Sequence, residues 1–287
     1  TTNIKVDTVD MSSVGLYKLE LAIQNLSITD PVSQNDTLRV DIRQLSNQQI
    51  NLGNVVNEDF ESTPIVESTQ QQFGLGADER WDYTNANDTC RFRSFVKNEI
   101  LISGNRSISL DAILNTNNNH RNEFTGTYNL SGYNVQNEEL RIEFEYLLHG
   151  YAPDADSNAL YARGNDTEAW KKMFSYDMKN AGTGKVSKSG SLSLTDLLLA
   201  SAQNFTSSAQ LRFMQNDISL ISMRNFGRGL TIDNVKMYTV QNDIQLLSIV
   251  SPISSECGIS GEFPLIIKLR NGVNQQLTNI QLYYKLD

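Results

Sequence analysis

Leu140-Arg141-Ile142-Glu143-Phe144-Glu145-Tyr146-Leu147-Leu148 alternates apolar and charged residues over most of its length. A period of two places Leu140, Ile142, Phe144 and Tyr146 on one side of an extended chain and the charges on the other, as in a strand with one dry and one wet face. The same alternation recurs at Tyr17, Leu19, Leu21 and Ile23, at Phe263, Leu265, Ile267 and Leu269, and at Ile280, Leu282, Tyr284 and Leu286. Clusters rich in Asn, Asp and Gly separate such runs at 115–119, 154–158, 182–184 and 227–229. These residue types tolerate left-handed backbone and therefore mark turns. Many short strands joined by polar turns predict an all-β chain of sandwich type. One segment reads differently. Thr195-Asp196 ahead of Leu197-Leu198-Leu199-Ala200-Ser201-Ala202-Gln203 offers an N-cap, an acid in the first turn and good helix formers, so two helical turns are expected there.

The chain has 287 residues, 39% of them hydrophobic and 20% charged, enough apolar material for a sizeable core and too little charge for disorder by self-repulsion. A net charge of −9 has the wrong sign for a surface that binds by displacing counterions from nucleic acid, so no nucleic-acid partner is expected. Thr1 opens on polar sequence, and no run approaches the roughly 18–20 apolar residues that span a bilayer, so no membrane insertion by this segment is expected. The two cysteines, Cys90 and Cys257, are too far apart in sequence for a metal knuckle or a CxxC redox motif.

Changes in strand texture suggest three parts. Polar Gln44-Leu45-Ser46-Asn47-Gln48-Gln49 precedes a new unit opening at Asn57-Glu58-Asp59-Phe60-Glu61, and Gln241-Asn242-Asp243 follows the strand-like Ile232 to Tyr238. The expected division is 1–45, 50–240 and 243–287, with flanks too short for cores of their own. The central part resembles the MAM-like, concanavalin-like jelly rolls of large surface proteins of Bacteroidota, such as gliding-motility adhesins and other cargo of the type 9 secretion system. The resemblance rests on Asp59-Phe60-Glu61, Glu145 to Gly150, Tyr161 to Trp170, Leu211-Arg212-Phe213 and Ile232-Asp233-Asn234-Val235, in that order. In the same proteins an immunoglobulin-like module follows the jelly roll. Segment 243–287 resembles the first half of that module, and 1–45 resembles its later half. The resemblance thus implies a central jelly-roll β-sandwich flanked by partial immunoglobulin-like β-sandwich modules. It further implies a tandem-repeat filament or cell-surface segment, extracellular and associated with the outer membrane, with neighbouring repeats or copies and cell-surface glycans as partners.

Candidate chemistry is sparse. His120 and His149 are the only histidines, and neither stands in a nucleophile-elbow or triad signature, so the chain is expected to be no enzyme. Gly182-Thr183-Gly184-Lys185 lacks the phosphate-loop spacing, and a turn accounts for it better. Asp59 and Glu61 on the expected first strand and Asp233 on the last would be spatial neighbours in a jelly roll, and hard carboxylate oxygens suit calcium. The resemblance adds that related jelly rolls hold a structural cation on the matching Glu and Asp, so Ca2+ is the expected cofactor at Asp59, Glu61 and Asp233. Asp154 with Asp156 reads as an exposed turn. Trp81, Trp170, Tyr83 and Tyr151 could build an aromatic platform for sugar. Trp81 is expected at the surface and Trp170, inside the family motif, in the core. Asn-x-Ser/Thr triplets, at Asn25, Asn105 and Asn204 among others, follow from composition. The resemblance instead makes Thr8 and Thr37, each after an Asp and before an apolar residue, candidate O-glycan acceptors. The function expected is a non-catalytic structural and adhesive segment of a long bacterial surface protein. The alternative is a carbohydrate-binding module of a secreted multidomain enzyme.

Overall fold

The computed structural model describes residues 3, 5–23, 36–95, 100–112, 120–149, 158–177, 182–217, 229–240, 244–252, 263–271 and 278–285. The chain divides into two compact units, Thr1–Gln48 and Gln49–Asp287. In the first, β1 (Gly15–Ala22) and β2 (Thr37–Gln44) form an antiparallel ladder. Tyr17 and Leu19 face its half-covered side, as the period of two predicts, while Leu16 and Val40 stay exposed.

The second unit carries two large sheets and a two-stranded ladder. In the eight-stranded sheet, β10 (Glu139–His149) and β16 (Gly229–Val240) are central, followed outward by β8 (Ile108–Ala112), β7 (Cys90–Arg93) and the short β4 (Glu67–Ser68). The remaining short strands are β13 (Ser187–Lys188) and β14 (Leu192–Ser193), both on β10, and β3 (Val56–Glu58) on β16. The six-stranded sheet runs β12 (Lys171–Ser175), β11 (Ala159–Arg163), β15 (Ala209–Asp217), β9 (His120–Tyr128), β6 (Trp81–Asn85), β5 (Gln72–Leu75). The first and last strands of this sandwich are antiparallel neighbours, with Val235 opposite Glu58. A separate ladder pairs β17 (Ile244–Ser251) with β18 (Ile266–Asn271).

The alternation that opened the sequence reading drives the packing. Leu140, Ile142, Phe144, Tyr146 and Leu148 of β10 all enter one core with Phe124 of β9 and Phe213 of β15 from the facing sheet. Phe144 meets Phe213 edge-on at a centroid distance of 4.9 Å, and Tyr83 of β6 lies 5.1 Å from Phe92 of β7. Interleaved rings from two sheets are the geometry in which aromatic quadrupoles attract as well as bury area. Trp81 is fully buried here, stacked on Phe124 at 4.7 Å. It lies opposite Gly126, where an added Cβ would come within 2.9 Å of the indole. The expected surface position of Trp81 is therefore corrected. Tyr83 is equally buried, so neither ring can offer a platform, and Tyr151 lies outside the described residues.

The predicted helix is α1 (Leu194–Ala200), with Leu194 and Leu198 buried. Its N-cap is Ser193, whose Oγ accepts from the Asp196 amide at 3.0 Å, and not Thr195. Thr195 is taken inward, where its hydroxyl donates to the Glu138 carbonyl and accepts from the Leu140 amide. The strand expected from Ile280 onward is absent among the described residues. Ile280, Leu282, Tyr283 and Tyr284 are exposed, and no described strand pairs with them to supply a ladder. Cys90 is a buried thiol whose titration burial pushes up, while Cys257 lies outside the described residues.

Candidate functional site

Strand alternation in the six-stranded sheet sends one set of side chains inward and the other into solvent. The outward set is in register. Tyr161 of β11 lies opposite Arg212 of β15, which lies opposite Thr125 of β9. One row along, Arg163 faces Gln210, and Gln210 faces Thr127; on the other side Met214 faces Glu123, and Asn216 faces Arg121. These rows are tied laterally. Arg163 Nε donates to Gln210 Oε1 at 2.8 Å, Gln210 Nε2 donates to Thr127 Oγ1 at 3.0 Å, and Arg212 Nη1 pairs with Glu123 Oε2 at 2.9 Å. Glu123 also pairs with Arg121, so one carboxylate serves two guanidiniums.

Trp170 reaches this face from the turn between β11 and β12. Gly164 passes so close to the Asn204 carbonyl that a Cβ would lie 2.0 Å from that oxygen, a contact only glycine permits. The buried Gln203 then clamps both ends of the turn, accepting from the Gly164 amide at 3.0 Å and donating to the Ala169 carbonyl at 2.9 Å. Held there, the half-buried indole packs against Arg212 and Arg163, whose guanidinium carbons lie 4.0 and 4.3 Å from its ring centroid. Such stacking holds a guanidinium in place while leaving N–H groups on its rim for other partners. Arg121, Tyr161, Trp170, Arg212, Met214 and Asn216 line an open cleft of about 280 Å³. Burial, reinforced by the neighbouring Arg163 and Arg121, pulls Arg212 down to about 10 despite the Glu123 carboxylate. The expected core position of Trp170 is thus corrected. Arg121, Tyr161, Arg212 and Asn216 were not singled out from sequence, although Leu211-Arg212-Phe213-Met214 alternates clearly enough to have placed Arg212 outward.

The expected cation residues are arranged otherwise. Asp59 and Glu61 lie just past the end of β3, and both are exposed. An Asp59 oxygen accepts from the Glu61 amide at 3.2 Å. Glu61 Oε1 accepts from the amides of Asn105 and Arg106 at 2.7 and 3.0 Å, and Gly104 makes room, since a Cβ there would lie 2.0 Å from that oxygen. Slight burial works against ionisation of Glu61, but these hydrogen bonds outweigh it and hold the carboxyl below its ordinary range. Asp233 is fully buried on β16, where Oδ2 accepts from the hydroxyls of Ser103 and Ser107, both at 2.8 Å, and Oδ1 from the Asn234 amide at 2.7 Å. Burial pushes its carboxyl up to about 6. Glu61 and Asp233 therefore grip the same loop, 103–107, while Asp59 turns back on its own. Their oxygens meet N–H and O–H donors where calcium would need free lone pairs. Among the described residues no three His, Cys, Asp or Glu side chains cluster to hold a metal ion, so this arrangement does not fit a cation cage.

His149 is buried at the end of β10 with Nε2 3.2 Å from Ser109 Oγ. The side chain of His120 and the Asp154–Asp156 turn lie outside the described residues. Thr8 and Thr37 are exposed.

No protein-family model and no curated protein matches the sequence. Among solved structures, a mannohexaose complex of the module CBM27-1 from Caldicellulosiruptor saccharolyticus aligns at 16% identity and TM-score 0.33, over 64% of this chain and 97% of that one. The xylohexaose complex of the CBM22-1 and GH10 modules of Clostridium thermocellum endo-1,4-beta-D-xylanase 10B aligns at 10% identity and TM-score 0.33. That match covers 63% of this chain and 28% of the other. The β-sandwich has distant structural similarity to carbohydrate-binding modules. A likeness at TM-score 0.33 carries no argument about a ligand, and the case for one has to come from the side chains of the cleft.

Proposed function

We propose that this chain is a non-catalytic glycan-binding β-sandwich whose ligand lies across the outer face of the six-stranded sheet. The observation that carries this reading is the open cleft lined by Arg121, Tyr161, Trp170, Arg212, Met214 and Asn216. A sugar ring has two apolar C–H faces and a rim of hydroxyls. It is matched by an aromatic ring and a thioether set among planar guanidinium donors and an amide that can both donate and accept. The cleft combines Tyr161 and Met214 with two guanidiniums and an amide in this way. Among the described residues the lining set contains no carboxylate, histidine, serine or cysteine, the groups that most often supply a nucleophile or a general acid and base, which favours binding over turnover.

Screening the whole chain against a glycan array, followed by Tyr161→Ala and Arg212→Ala variants, tests this reading. Selective binding that both variants weaken by roughly tenfold or more is expected, because each removes a contact at the centre of the cleft. Absence of selective binding, or binding indifferent to both substitutions, would overturn it.

A second reading concerns setting rather than ligand. The sequence resemblance implies a tandem-repeat surface adhesin carrying immunoglobulin-like part-modules. What supports it is the apolar surface left open on the two separate ladders, at Leu16, Leu21, Leu38 and Val40 in one and Leu246, Ile249 and Val250 in the other. Two-stranded ladders are marginal alone, and such faces suit completion by neighbouring repeats or copies. In that setting the glycan-binding face would be displayed outside the cell, and adhesion would be its consequence.

A further inference from the structure

The cleft's charge is opposite to that of the chain around it. The whole sequence carries −9, yet the lining residues include Arg121 and Arg212 and, among the described residues, no acid. Arg163 lies just behind them against Trp170, hydrogen-bonded to the neutral Gln210 and to the Glu168 carbonyl. Among the described residues the ion pairs of Arg121 and Arg212 go to one carboxylate, Glu123, so these two pairings leave one positive charge in excess, while Asp166, Glu123 and Glu168 act on Arg163. Burial is the main factor that disfavours the charge on Arg212; Glu123 offsets part of it, and the flanking Arg163 and Arg121 add to it. Gathering like charges in one spot is unfavourable unless something of opposite sign visits it.

We infer that the ligand of this face is an anionic saccharide, its negative group seated between Arg121 and Arg212 and its ring against Tyr161. The inference rests on the glycan-binding reading and names the class of sugar. A carboxylate, or two oxygens of a tetrahedral sulfate ester, can meet a guanidinium fork with two hydrogen bonds, which a neutral hydroxyl cannot equal. Arg212 is the better preorganised of the two. Its side chain is only 18% exposed and is fixed by Trp170, Glu123 and Thr125, whereas that of Arg121, 48% exposed, can swing onto the incoming group. A uronate and a sulfated sugar share this chemistry, and the geometry of the test separates them.

Titration calorimetry of the whole chain would compare four probes: a neutral hexaose, an oligouronate, the same oligouronate with its carboxyls reduced to alcohols, and a sulfated oligosaccharide. The expected result is that one anionic probe binds roughly tenfold or more tighter than the neutral probes, with an advantage that shrinks as salt rises. If the oligouronate leads, the recognised group is a carboxylate; if the sulfated probe leads, it is a sulfate ester. Arg121→Gln, at a half-exposed position, should erase most of that advantage while leaving the melting temperature near that of the parent. Neutral and anionic probes binding equally well, or an anionic preference that survives Arg121→Gln and Arg212→Gln, would overturn the inference and leave the glycan-binding reading standing. Failure of every probe, with the variants folded, would overturn both.

Discussion

Removing Asp111 should destabilise the sandwich more than removing any exposed carboxylate. Its side chain is fully buried on β8 and accepts from Arg91 Nε at 2.8 Å, from Arg91 Nη2 at 3.0 Å and from Arg93 Nη2. Arg91 and Arg93 are themselves only 8% and 5% exposed, so neither guanidinium can find water if the carboxylate goes. The other acid within reach, Glu67, pairs with Arg91 at 3.0 Å, but its side chain is 64% exposed and sits at the edge strand β4. Truncating one partner of a buried ion pair costs about 3–5 kcal/mol, mostly as the penalty of stranding the opposite charge. Asp111→Ala removes the buried carboxylate that both guanidiniums share, which places it toward the upper part of that range. Urea unfolding followed by tryptophan fluorescence reads this cleanly, because both tryptophans, Trp81 and Trp170, belong to the second unit. Replacing all three residues with apolar ones of similar size should restore most of the loss, since no charge is then left buried. A loss below about 1 kcal/mol for Asp111→Ala, with an unchanged denaturant slope, would refute the reasoning.

Asp233 gives a pH-dependent prediction. Its folded-state carboxyl is raised to about 6, above the ordinary value of 3.8, so the folded chain binds this proton more readily than the unfolded one. Stability from this group therefore rises as pH falls from about 7 toward 4, by on the order of 1–2 kcal/mol after solvent screening, and it is lost again as pH climbs through 6. The difference in unfolding free energy between the parent and Asp233→Asn should follow that window, and a pH-independent difference would contradict it. Because Glu61 and Asp233 are occupied by N–H and O–H donors, adding a chelator should move the melting temperature by less than about 1 °C; a larger fall would mean that loop 103–107 rearranges around a cation. Gln203→Ala, which unties the Trp170 turn without touching the cleft, should weaken glycan affinity several-fold; unchanged affinity would remove Gln203 as the positioning residue.

Much of the sandwich was legible in the sequence because a strand buried on one face writes its orientation into every second residue. Leu140 to Leu148 named both the strand and its core face, and Tyr17 and Leu19 marked the half-covered side of β1, although Leu21 is exposed. The period was misleading at Ile280, Leu282 and Tyr284, where alternation exists without a described partner strand. Alternation states which face is apolar and is silent on whether a ladder forms. The aromatic residues were misplaced for a related reason. Trp81 stands between Arg80 and Asp82, and flanking charges made it look exposed, yet on a strand the neighbours of an inward residue point outward by geometry. Trp170 lies in a turn whose course depends on Gly164 crossing Asn204 and on Gln203, contacts between residues some 40 positions apart that no local pattern encodes. The carboxylates expected to hold calcium share a neighbourhood as anticipated for Glu61 and Asp233, but which donors fill their lone pairs is set by the loop 103–107, whose Gly104 and serines carry no signature of that role.

The central claim, that the outer face of the six-stranded sheet binds a glycan, is tested most directly by following backbone and side-chain NMR signals of the isotopically labelled chain during titration with the tightest array ligand. Saturable shifts are expected at Arg121, Tyr161, Trp170, Arg212 and Asn216, with the opposite sheet around β10 and β16 unmoved. Saturable shifts centred on the eight-stranded sheet or on either two-stranded ladder, with the cleft residues silent, would contradict it.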